Sequence, residues 1–105
     1  MDELIGRNYA SFDGMRQWEL LYEGMLLVIL NTGVERGNDH NLVGISADDM
    51  RVKWTLGGVL ANSGQYDGVV SVRIEAAQVW VHTWSCFARR IDYRTGEVLE
   101  EVFTK

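Results

Sequence analysis

Proline is absent from the 105 residues and cysteine occurs once. Average usage would supply about five prolines in this length, so proline-rich ligand motifs and native cis-prolines are excluded. A lone Cys86 permits no intramolecular disulfide, which excludes a small secreted scaffold stapled by cystines and fits a reducing, cytoplasmic compartment. Long apolar runs are also missing. The longest, Met25 to Leu30, is too short to span a bilayer, and Met1 to Gly6 carry no basic leader ahead of an apolar stretch. Neither export nor membrane insertion is expected. Positive charge is in deficit, with 10 basic against 15 acidic side chains and a net charge of -5, and a nucleic-acid partner would have to overcome that repulsion.

What is present fits one globular domain spanning 1–105: 47% of residues are apolar and 24% charged, and the length is too small for two well-packed cores. The charge is uneven. Residues 1–50 carry the acidic excess, with only Arg7, Arg16 and Arg36 to offset their carboxylates, whereas residues 51–105 are nearly balanced. Such an amino-terminal surface, with Glu35, Asp39, Asp48 and Asp49 as its candidate contacts, would attract a basic protein partner. The plainer account of the same charge is a solvated surface that keeps the chain soluble.

Along the chain, residues 1–14 mix Leu4, Ile5, Tyr9 and Phe12 with polar groups and keep no period, so they read as an irregular arm that packs by its aromatics. The next segment is divided. Met15, Trp18, Leu21, Tyr22 and Met25 recur at helical spacing, yet glycines flank a short stretch, and a hairpin turning at Tyr22-Glu23-Gly24 is preferred. From there the pattern is β: runs of Val, Ile, Trp and Thr separated by Gly, Asn and Asp. Strands are expected at 25–31, buried on both faces, at 42–47 and 50–56 around Asp48-Asp49, at 69–75 with Val70, Val72 and Ile74 inward, and at 78–85 and 87–93. Turn-rich loops fall at 32–41 and 57–68. The stripe Val98, Leu99, Val102 and Phe103 has helical spacing, but the segment is short after its Thr95-Gly96 turn and the preceding strand needs a partner, so it is assigned as a strand. The expected fold is all-β: an antiparallel meander of seven or eight strands forming a curved sheet, sandwich or partly open barrel, with an edge that homodimerisation would cover.

Internal comparison aligns Ile45 to Val52 with Ile91 to Val98, a repeat around 41–56 and 87–103. The segment Arg90-Ile91-Asp92-Tyr93-Arg94-Thr95-Gly96-Glu97-Val98-Leu99 resembles the turn of quinoprotein-like β-propeller blades, with Trp54 in the docking tryptophan's place in the first copy. Met50 replaces the glycine of that copy, and Glu100 the tryptophan of the other. Asn41, Trp54, Tyr66-Asp67-Gly68 and Thr95-Gly96 together are similar to small stand-alone bacterial β proteins. The resemblance implies meandering β architecture; it carries over no cofactor, and two units do not close a propeller ring.

Chemistry is sparse. Alternation puts Trp80, His82, Trp84 and Cys86 on one face of the strand 78–86, opposite Val79, Val81 and Thr83, so two tryptophans flanking a histidine would form a platform for a sugar, a base or a side chain. The alternative is that this face lies in the core. Cys86 and His82 stand about 13 Å apart along a strand at ~3.3 Å per residue, too far for a nucleophile and base. One cysteine and two distant histidines lack zinc spacing, Glu35 to Asn41 lack a calcium-loop spacing, and the glycines from Gly57 to Gly64 lack a phosphate-loop ending. No metal, cofactor or catalytic set is expected. Arg89, Arg90 and Arg94 form the basic cluster, best explained by pairing with nearby carboxylates. The leading expectation is a non-catalytic protein-interaction module of the immunity or inhibitor type that masks a basic partner. The second is a small-molecule or glycan-binding β domain using Trp80, His82 and Trp84.

Overall fold

The computed structural model describes residues 4–30, 42–56, 69–83 and 87–103. After a 3-10 turn at Tyr9–Phe12 come eight strands: β1 Arg16–Tyr22, β2 Met25–Leu30, β3 Leu42–Ser46, β4 Val52–Leu56, β5 Val69–Glu75, β6 Gln78–Thr83, β7 Phe87–Ile91 and β8 Val98–Phe103. They form two four-stranded antiparallel meanders, β1-β2-β3-β4 and β5-β6-β7-β8. The protein is all-β, and among the described residues no helix is long and apolar enough to cross a membrane.

Local chemistry accounts for the hairpins. Glu23 and Gly24 (φ 50° and 80°) join β1 to β2, and Ala76 and Ala77 (φ 52° and 63°) join β5 to β6. Two consecutive positive φ values mark the two-residue turn whose twist matches that of the flanking strands. The divided segment after Met15 is therefore a hairpin, and 98–103 is a strand. One inward assignment needs correcting: Val70 is 50% exposed, whereas Val69 is 2% exposed and lies in the core. A bulge between Val69 and Ser71 moves the register there by one residue, which exchanges the two faces.

The sheets correspond element by element. Bulges fall at Arg16/Trp18 and Val69/Ser71 in the first pairs, and at Gly44/Ile45 and Arg90/Ile91 in the last. The β3-β4 and β7-β8 turns share one hydrogen-bond pattern. Met50 N–H donates to Ser46 O at 2.8 Å as Gly96 N–H does to Asp92 O at 2.7 Å, and Ser46 N–H donates to Arg51 O as Asp92 N–H does to Glu97 O. Side chains repeat the scheme: the Ser46 hydroxyl and Asp92 carboxylate each accept the N–H two residues on, as do Asp49 and Thr95. Met50 adopts φ 58° where Gly96 adopts 79°, so the turn survives the loss of its glycine.

The two sheets stack in the same sense, head to tail. Leu27 and Ile29 of the first sheet face the second, yet their counterparts by register, Trp80 and His82, lie on the far side of the second sheet from the core residues Val79 and Val81. Trp54 links the layers. Its indole N–H donates to Tyr93 O at 2.8 Å, and Gly44 and Gly96 leave room for the ring, since a Cβ at either would come within 2.0 Å or 2.7 Å of it.

A second apolar cluster lies on the opposite face of the first sheet, where Val28, Leu30, Val43, Ile45 and Val52 meet fully buried Phe12. Residues 4–15 are thus a cover, held at the β4 edge by Gly6 N–H to Val52 O, Val52 N–H to Arg7 O and Tyr9 N–H to Met50 O. The Arg7 guanidinium sits 4.5 Å over the Phe12 ring and that of Arg16 4.2 Å over Tyr9. The Tyr9 hydroxyl donates to Glu19 at 2.7 Å, and this bond raises the Tyr9 pKa above its ordinary value. With a cover on each side, β2 is buried on both faces, as its unbroken apolar run predicts.

Candidate functional site

The outer face of the second sheet carries the residues that alternation singles out. Val79, Val81 and Thr83 point to the core, while Trp80 and His82 are half-buried on the opposite face. Register places Trp80 between Arg73 on β5 and Arg90 on β7, and His82 between Ser71 and Ala88. The row continues to β8, where Arg90 Nε donates to Glu100 at 3.2 Å. Trp80 therefore has a guanidinium side chain as its cross-strand neighbour on both sides, within a face of nearly balanced charge. Trp84 and Cys86 lie outside the described residues, and of the four residues assigned to this face Trp80 and His82 are described.

Of the four candidate acidic contacts, two lie within the described residues. Glu35 and Asp39 lie outside the described residues. Asp48 and Asp49 occupy the β3-β4 turn, where Asp49 is engaged within its own hairpin: Lys53 Nζ donates to one carboxylate oxygen at 2.7 Å and the Arg51 N–H to the other at 3.0 Å. The hydrogen bond from Lys53 holds the Asp49 carboxyl below its ordinary range. Asp48 is exposed and makes no ion pair among the described residues. Among the described residues no three His, Cys, Asp or Glu side chains group as a metal site would require.

A further feature is legible in the sequence as a strand and not as a site. All six residues of β8 are exposed, including Val98, Leu99, Val102 and Phe103, and among the described residues β8 is paired on one side alone, to β7. Its two central carboxylates point to opposite faces, Glu101 to Arg89 and Glu100 to Arg90. In each pair the carboxylate is the outer member, 46% and 49% exposed against 14% and 26% for the arginines. Phe103 packs against Phe87 with the rings tilted by 53° and 5.3 Å between centroids. The signal was available in Val98-Leu99-Glu100-Glu101-Val102-Phe103, whose apolar residues are too many for a solvated edge.

The chain belongs to the family described as Domain of unknown function (DUF7957), whose model matches residues 4–103. No curated protein and no solved structure matches it.

Proposed function

We propose that the protein is a non-catalytic protein-interaction module that receives an extended, basic segment of another protein along β8. The observation that carries this reading is the exposed apolar edge strand with two outward carboxylates at its centre. An unpaired edge offers backbone donors and acceptors to an incoming strand, and alternate side chains set its specificity. Apolar residues at both ends of β8 would pack against apolar partner positions, with Lys or Arg opposite Glu100 and Glu101. Antiparallel self-pairing centred on these residues would place glutamates opposite glutamates, which is unfavourable, so a different chain fits better than a second copy. A partner masked in this way is consistent with an inhibitor or immunity role in the cytoplasm. The likeness to propeller blades, in this proposal, is one of strand order and turn construction and brings no cofactor.

Affinity capture from host lysate with the intact chain and with Glu100→Gln/Glu101→Gln tests the reading. A basic protein retained at low salt, released at high salt, lost with the double variant and slowing amide exchange at 98–103 supports it. Retention indifferent to the substitutions, or protection confined to other strands, overturns it.

A second reading, a small-molecule or glycan-binding domain, is favoured by Trp80 and His82 sharing the outward face of β6. A ligand that quenches tryptophan fluorescence in the native chain and not in Trp80→Leu would support it.

A further inference from the structure

We propose that a cleft beside the β7-β8 turn is a binding site for a small organic carboxylate. The cleft has a volume of about 240 Å³ and is lined by the β5-β6 turn, residues 90–94 and Leu99. That is below the roughly 300–1,000 Å³ of sites for drug-sized ligands and matches a compact acid.

The balance of donors and acceptors in the lining sets the ligand class. Its backbone acceptors are already engaged: Asp92 O takes the N–H groups of Thr95 and Gly96, and Tyr93 O takes the Trp54 indole; the Asp92 carboxylate takes the Arg94 N–H at one oxygen and keeps the other. The Arg94 guanidinium lies 5.1 Å over the Tyr93 ring and makes no ion pair among the described residues. Arg90 commits Nε to Glu100, which leaves its terminal amino groups, and the Gln78 side chain also lines the space. The Arg94 guanidinium and the terminal amino groups of Arg90 are the charged donors of this lining, set against the single carboxylate of Asp92, and a ligand carboxylate matches the planar fork of arginine. Tyr93 and Leu99 supply apolar surface for a short hydrocarbon or one aromatic ring.

The site does not depend on strand addition at β8, and a free small acid tests it separately. The intact chain is titrated with benzoate, with uncharged benzamide and with inorganic phosphate, following the backbone amide resonances of 77–79 and 92–96. Saturable shifts with benzoate, at least about tenfold weaker with benzamide and phosphate, are expected from loss of one charge-assisted pair. Arg94→Met should weaken benzoate about tenfold while leaving the thermal midpoint unchanged, because Arg94 is at the surface. Equal binding of benzamide or phosphate, non-saturable shifts, or wild-type affinity in Arg94→Met would overturn the assignment.

Discussion

The same four-stranded unit occurs twice in this chain and meets two different environments. The first sheet is covered on both faces, by the second sheet on one side and by residues 4–15 on the other; among the described residues, the second sheet is covered on one. The side chains at matching positions follow this difference. Leu27 and Ile29 become Trp80 and His82, and the cross-strand pair Gly44–Trp54 becomes Arg90–Glu100. Backbone hydrogen bonding and bulges stay the same because they depend on strand geometry, whereas side-chain identity depends on what lies across the face. Head-to-tail stacking of like units leaves two unlike ends. Here one end is closed by the arm, and the other, among the described residues, is a polar face bordered by β8.

The comparison breaks most sharply at Phe12. Truncation to alanine empties a fully buried site on the first sheet and should cost about 3–5 kcal/mol, whereas Trp80→Ala on the open face of the second should cost clearly less; denaturant titration of both variants gives the contrast. Next is Gly96→Ala, which adds a Cβ against the Trp54 ring at a backbone angle unfavourable to L-residues. About 2–4 kcal/mol of destabilisation is expected, from overpacking and the left-handed conformation together. The matching change in the other copy, Met50→Gly, should act in the opposite direction: relieving a side chain at φ 58° is expected to stabilise by about 1 kcal/mol, seen as a higher thermal midpoint. Ala77→Gly in the β5-β6 turn should gain a similar amount, while Gly24→Ala in its counterpart loses it.

The smallest effect is one of pH. Because the Tyr9 pKa is raised by its bond to Glu19, the contribution of that bond is fully present below the unfolded value near 10 and is lost as pH rises through the higher folded value. A shallow loss of stability in that alkaline window is expected, and Tyr9→Phe should flatten it. Asp49 works with the opposite sign: its lowered pKa gives a contribution present above the ordinary carboxylate value near 3.8 and lost as pH falls through the lower folded value.

Much of the fold was legible before any coordinates. Alternation and Gly, Asn and Asp punctuation marked the strands, and the short last segment was better explained as a strand than as an isolated helix. Val70 was misplaced because a bulge changes register without a distinct residue signature. The correspondence between sheets was visible in the sequence at 45–52 and 91–98, where the turn needs similar residue types, and was hidden across β1-β2 and β5-β6, where burial had changed the side chains. For the site, alternation correctly put Trp80 and His82 on one face, but the open edge at β8 and the donor-rich cleft depend on neighbours distant in sequence.

The amino-acid sequence by itself determined where strands and turns lie and which residues share a face, because backbone periodicity and turn sterics act over a few residues. Only the tertiary structure decided which faces are covered, that Trp54 bridges the layers, and that the arm closes one end. Burial depends on what another part of the chain brings into contact, and a pattern of period two names two faces without saying which of them meets water.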